Sequence, residues 1–170
     1  QGAPLSLVCR LVRPRGTPSS NWETVQRLGA KVVFHGANFD EAKAESMRLA
    51  EAYGLTMIPP FDHPQVIAGQ GTVAVEICSQ TDREIVDAVI CAIGGGGLLS
   101  GVAAYIKRVA PPHVKVIGVE TYDADAMAQS MEKGERVELA DAGLFSDGTA
   151  VRLVGDETFR VCNSLVDAVS

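Results

Sequence analysis

Residues 87–93 (DAVICAI) form an almost unbroken apolar run that ends in four consecutive glycines, Gly94, Gly95, Gly96 and Gly97. No other stretch restricts the fold as strongly. Such a run reads as a parallel strand covered on both faces, and it is predicted to lie at the centre of a sheet. Residues 98–109 (LLSGVAAYIKRV) then have helical periodicity and stop before Pro111, so the glycines sit where a strand becomes a helix. In open α/β sheets, ligands bind beyond the carboxyl ends of the strands. Four residues without Cβ let successive N–H groups converge on one cluster of oxygens, and the helix opening at Leu98 adds its partial positive charge. The dipole is worth roughly 0.3–1 kcal/mol, and each charge-assisted hydrogen bond roughly 1.5–3 kcal/mol, so hydrogen bonds dominate and the expected ligand is an anion. A tight turn by itself rarely needs more than one or two glycines. The Gly-Lys-Ser/Thr ending of a P-loop is missing, and the spacing is not that of a dinucleotide G-x-G-x-x-G. Glu120 closes the next predicted strand, so a nucleotide pyrophosphate stays open as a second ligand.

The remaining pattern alternates strand and helix. Residues 5–12 have a period near two, and 31–35 (KVVFH) are a second short β-branched run. A helix between them has Ser19 and Ser20 as caps, Trp22, Val25 and Leu28 on one face, and Gly29 as a left-handed stop. In the next helix Asn38 caps, Glu41 reaches back, Phe39, Ala42, Met47, Ala50 and Tyr53 make the apolar stripe, and Gly54 ends it. Residues 56–58 are predicted as a short buried strand and 59–64 (PPFDHP) as a stiff loop. Residues 66–78 read as a helix interrupted by Gly69 and Gly71, which close packing or a nearby ligand would explain. Residues 115–119 (KVIGV) are a strand, 124–133 a helix, and 165–169 a strand approach. Together these imply right-handed crossovers and an α/β fold, a doubly wound, mostly parallel sheet with helices on both faces.

Composition removes several functions. The net charge of −6 lacks the clustered cations of a nucleic-acid binder. Cys9, Cys78, Cys91 and Cys162 are far apart and form no C-x-x-C pair, which suits a reducing, intracellular compartment. No apolar run approaches the length of a membrane span, and His35, His63 and His113 lack metal-ligand spacing. The chain opens at Gln1 without a methionine or leader, and the expectation is an internal piece of something longer.

Residues 58–77 (IPPFDHPQVIAGQGTVAVEI), 94–101 (GGGGLLSG), 116–120 (VIGVE) and 123–127 (DADAM) closely resemble the biosynthetic threonine dehydratase (threonine ammonia-lyase) family, of the fold type II pyridoxal-phosphate enzymes. The resemblance runs from about Pro14 to Ser170. It implies that Gly94, Gly95, Gly96, Gly97 and Leu98 bind the phosphate of pyridoxal 5′-phosphate. It implies deamination of threonine, or of serine, to a 2-oxo acid and ammonia, in isoleucine biosynthesis, by a homo-oligomeric parent in the cytoplasm or plastid stroma. Residues 1–58 would belong to the smaller subdomain of the catalytic domain and 59–170 to the larger, with no regulatory domain. The family's Schiff-base lysine precedes the position matching Gln1, so Lys31, Lys43, Lys107, Lys115 and Lys133 are expected to be solvated surface charges, and no residue here is assigned a catalytic role. A non-catalytic partner subunit is the alternative.

Departures from the family pattern are specific. Residues 3–13 are shorter than the family's and carry arginines, and Thr149 follows the Asp147–Gly148 loop where valine is usual. That loop either lines the site or is a turn. Related racemases hold a divalent cation with a glutamate placed like Glu120 and a later aspartate; Ala126 stands at that position, so no metal site is expected. Asp62 and His63 are expected to stabilise a turn rather than act as acid and base, because neighbours in a proline-rich loop point different ways.

Overall fold

The computed structural model describes residues 8–16, 19, 22–37, 39–82, 86–143, 145–146 and 148–170. By its contacts the chain divides into two units, residues 1–58 and 59–170.

In the first unit, β1 (Arg10–Arg13) pairs in parallel with β2 (Lys31–Phe34), Arg10 opposite Lys31 and Arg13 opposite Phe34. Residues 5–7 of the predicted first strand lie outside the described residues, and Val8 and Cys9 precede β1 as exposed coil. The connecting helix, α1 (Glu23–Arg27), is only five residues long, with Trp22 rather than a serine at the N-cap position. The Trp22 ring meets Phe34 edge-on at 5.2 Å. Gly29 ends the turn at φ +93°, the left-handed conformation its position predicts. Helix α2 (Phe39–Tyr53) packs on β1 and buries Ala42 and Leu49. Glu41 reaches back as expected, its Oε2 accepting from the Ala37 amide at 2.8 Å; Asn38, the predicted cap, lies outside the described residues. Residues 56–58 are not a buried strand: they form no ladder, and Met57 and Ile58 are exposed. β-branched content favours extended backbone, but a strand needs a neighbour to pair with, and no described strand lies alongside.

In the second unit, α3 (Pro64–Gln70) and α4 (Thr72–Gln80) lead into β3 (Ala88–Ala92), α5 (Gly97–Val109), β4 (Lys115–Val119), α6 (Ala126–Lys133), α7 (Asp156–Leu165) and β5 (Ala168–Val169). The sheet order is β3-β4-β5, all parallel. The centre is therefore β4, and the DAVICAI run supplies an edge strand among the described residues. Its pattern explains the discrepancy. Val89 and Cys91 are buried against helices, whereas Ile90 on the opposite face is 65% exposed, as Val119 is in part. An apolar run that reads as covered on both faces is here covered on one.

Helix α5 is the hub of the core. Leu99, Val102, Ala103 and Ile106 are buried, and α3, α4, α7, β3 and β4 all pack on it. Gly118 of β4 admits Ile93 and Leu99, since a Cβ there would overlap both side chains. Gly71 and Gly101 bring α3 and α5 backbone to backbone; a Cβ at Gly71 would stand 3.1 Å from the Gly101 carbonyl oxygen. Close packing thus accounts for Gly71, while Gly69 has open space around it. Asp167 fastens β5 to β4. It accepts from the Val116 amide at 2.7 Å and from Lys115 at 3.2 Å, and it pairs with Lys107.

Candidate functional site

The Ile93 amide still pairs with the Val119 carbonyl at 2.9 Å, so the ladder runs to the edge of the glycine loop. The first helical bond after it joins the Ser100 amide to the Gly96 carbonyl at 2.9 Å. Between these points the amides of Gly94, Gly95, Gly96, Gly97, Leu98 and Leu99 meet no acceptor among the described residues. Gly95, Gly96 and Gly97 are themselves buried. A buried amide without a partner costs about 1–3 kcal/mol, and native interiors contain few of them. Several in succession at a helix N-terminus form a cradle for an anion.

Why the loop is all glycine has a second answer. A Cβ on Gly95 would overlap Cγ and Cδ1 of the Phe61 ring, and one on Gly97 would stand 3.0 Å from the Phe61 Cβ. At Gly94 it would meet Thr149 Cα at 3.2 Å. At Gly96, with φ +92°, it would meet Met127 Cε at 2.7 Å and Thr158 Cβ at 2.9 Å. Packing alone demands glycine at positions 95 and 96 and leaves little room at 94 and 97. The number of glycines is therefore not the evidence for a ligand; the unanswered amides are.

The loop is held from beneath by α7, which the sequence pattern did not reveal. The Gly95 carbonyl accepts from Thr158 Oγ1 at 2.6 Å and from the Gly155 amide at 3.3 Å. Ser100 Oγ in turn donates to the Thr158 carbonyl at 3.1 Å and lies 3.3 Å from Cys162 Sγ. Burial, only partly offset by Ser100, pushes the Cys162 thiol up to about 11. A signal for α7 exists in the sequence: Gly155 is followed by two acidic residues in a first turn and then by Phe159 and Cys162 on one face.

The acid and imidazole candidates are structural. Asp62 accepts from the amides of Asp156 (2.9 Å), Glu157 (2.9 Å) and Thr158 (3.3 Å), capping a helix more than ninety residues away rather than its own turn. His63 caps α3, its Nδ1 accepting from the Gln65 amide at 3.2 Å. Glu120 accepts from the amides of Met127 (3.0 Å) and Ala128 (2.8 Å), closing the N-terminus of α6. Burial holds its pKa above the ordinary carboxylate value despite those two donors. A carboxylate spent on a helix cap is not held out toward a ribose, which removes the support for a nucleotide. Ala126 begins α6, and no group of three metal-ligating side chains is present among the described residues. Asp147 lies outside the described residues; Thr149, two positions on, packs against Gly94.

Of the lysines, Lys107 is not a free surface charge. It donates to the Val114 carbonyl at 3.0 Å and pairs with Asp167. It stands ten residues beyond Gly97 on α5, about 15 Å along the axis at 1.5 Å per residue, so it cannot serve the loop.

A strand-glycine-helix turn in a parallel α/β layer, its loop amides without acceptors among the described residues, is the site these residues build. The chain belongs to the family described as pyridoxal-phosphate dependent enzyme, which it matches over residues 1–170. It is 56% identical over 165 residues to the mitochondrial threonine dehydratase of Schizosaccharomyces pombe, covering 97% of this chain and 27% of that protein. To the biosynthetic L-threonine dehydratase of Pasteurella multocida it is 47% identical, covering 97% of this chain and 32% of that one. The chain thus spans roughly a third or less of the length of these curated relatives. Among solved structures, the processed form of threonine deaminase isoform 2 from Solanum lycopersicum matches with a TM-score of 0.88 at 45% identity, over 95% of this chain and 44% of that chain. Maize serine racemase matches with a TM-score of 0.89 at 33% identity, over 96% and 48%. The fold is that of the fold type II pyridoxal-phosphate enzymes.

Proposed function

We propose that Gly94, Gly95, Gly96, Gly97 and Leu98 hold the 5′-phosphate of pyridoxal phosphate, and that the chain is part of a lyase converting threonine, with serine as second substrate, to a 2-oxo acid and ammonia. The observation that carries this is the run of buried amides without acceptors at the start of α5. The donor set fits a dianion: several N–H groups, the positive end of a thirteen-residue helix, and no carboxylate committed to the loop. Bound pyridoxal phosphate supplies the electron sink that makes an α-proton acidic.

The work of residues 1–170 is to bind and orient. The loop fixes the phosphate end of the cofactor, and Phe61 packs against Gly95 and Gly97. Lys107 and Lys115 are committed to Asp167 at the far end of α5, away from the loop. Residues 1–58 are assigned to the smaller subdomain of the catalytic domain and 59–170 to the larger. The setting proposed for the parent is isoleucine biosynthesis, in a homo-oligomer, in the cytoplasm or plastid stroma; the similarity to mitochondrial and biosynthetic threonine dehydratases supports a biosynthetic role inside the cell.

The test uses the natural polypeptide that carries residues 1–170. Pyridoxal phosphate should bind much more tightly than pyridoxal, and the loaded protein should release ammonia from threonine. Stabilisation by ATP or NAD with none by pyridoxal phosphate would overturn the assignment.

A further inference from the structure

We infer that Thr158 is a positioning residue for the phosphate cradle: its hydroxyl sets which way the Gly95–Gly96 peptide faces. The inference rests on the phosphate reading of the loop and adds a residue to it.

A peptide unit is planar and trans, so the Gly95 carbonyl and the Gly96 N–H point in opposite directions. The unit lies between two glycines, where steric hindrance to rotating the plane is least. Left alone, it can present either face to a ligand. With the N–H outward it attracts a dianion; turned over, it offers a carbonyl oxygen that repels one. In the structure the carbonyl is held down twice, by Thr158 Oγ1 at 2.6 Å and by the Gly155 amide at 3.3 Å. Both donors belong to the start of α7, so the Gly96 N–H faces away from that helix. Accepting two hydrogen bonds also polarises the peptide and strengthens its N–H as a donor.

Thr158 is suited to this because it is itself fixed on both sides. It is fully buried. Its amide donates to Asp62 Oδ1 at 3.3 Å, and its carbonyl accepts from Ser100 Oγ at 3.1 Å. Its hydroxyl therefore approaches Gly95 from a backbone that cannot swing away. Phe61, the neighbour of Asp62, packs against Gly95 and Gly97, so one short loop braces the cradle directly through an aromatic ring and indirectly through the capped helix.

The experiment compares Thr158→Val, which keeps the shape and removes the hydroxyl, with Thr158→Ser, which keeps the hydroxyl, in the natural polypeptide that carries residues 1–170. Affinity is measured for pyridoxal phosphate, for inorganic phosphate as competitor and for pyridoxal, together with the ³¹P chemical shift of bound pyridoxal phosphate. Thr158→Val should bind both phosphates about tenfold more weakly, the loss of roughly one hydrogen bond, and pyridoxal unchanged. Its ³¹P signal should move, and Thr158→Ser should restore both readings. Wild-type phosphate affinity in a folded Thr158→Val protein would overturn the inference, as would an equal loss for pyridoxal, which marks a merely structural role. Should the valine variant not fold, Thr158→Ala carries the same comparison. A wild-type protein that does not prefer pyridoxal phosphate to pyridoxal would instead refute the phosphate reading, and the inference with it.

Discussion

Replacing Gly95 by alanine separates the two reasons for a glycine in the loop. The added Cβ would overlap Cγ and Cδ1 of the Phe61 ring. Carbon atoms rest about 3.5–4.0 Å apart, so the ring must retreat by more than about 1 Å. Phe61 sits in a proline-stiffened loop whose next residue, Asp62, is anchored to three α7 amides, so the retreat pulls on a fixed neighbour. Overpacking of this kind costs about 1–3 kcal/mol. In a chain of this size that lowers the melting temperature by about 2–4 °C per kcal/mol, hence by about 2–12 °C. The control is Phe61→Ala, alone and combined with Gly95→Ala. Contacting residues couple by about 0.5–3 kcal/mol, and Gly95→Ala should cost little once the ring is gone. Denaturant melts of the four proteins without cofactor give the coupling. Additivity within about 0.5 kcal/mol would show that Phe61 does not hold position 95 to glycine, and the packing account of the loop would fail.

Three other outcomes follow from the same contacts. Asp62→Ala should cost about 1–2 kcal/mol, the range of a lost helix cap, with Asp62→Asn milder; a melting temperature unchanged by the alanine would contradict the cap. Asp167 is pushed up by burial but held down more strongly by Lys107, the Val116 amide and Lys115, to about 2. Because its folded pKa is depressed below the ordinary 3.8, its contribution is present above about pH 4 and lost as pH falls toward 2. Screening leaves about 1 kcal/mol of it, which Asp167→Asn should abolish along with that part of the acid sensitivity, as read by melts at pH 3 and 7. Iodoacetamide should label the exposed Cys9 in the folded protein and spare Cys91 and Cys162, whose thiols burial pushes up; fast labelling of Cys162 would show that the packing around Ser100 is open.

Local patterns in the sequence carried most of the elements, because their causes are local. KVIGV is β4 to the residue, the glycine loop opens α5 one residue early, and Gly29 and Gly54 end their helices. What escaped depends on distant partners. The DAVICAI run reads as a central strand because hydrophobicity reports what a strand can bury, whereas its place at the edge among the described residues depends on which strands lie beside it. Residues 56–58 failed as a strand for the same reason. Asp62 and Glu120 look like candidate acids in a one-dimensional reading, and only folding shows that the amides they serve belong to α7 and α6. The loop was legible as a strand-to-helix turn, but the argument from glycine number gives way to the packing of Phe61 against Gly95 and of Met127 and Thr158 against Gly96.

The reach of Asp62 to α7 also orders events in time. Closing a segment of more than ninety residues carries an entropic cost that grows with the logarithm of its length, and contacts so far apart in sequence form late. Strand β3, α5 and their crossover to β4 can assemble from near neighbours, but the Gly95 carbonyl acquires its donors only when α7 docks. A half-folded chain thus carries the glycine sequence without a settled grip. If the loop holds a phosphate as proposed, affinity for phosphate is a late marker of folding.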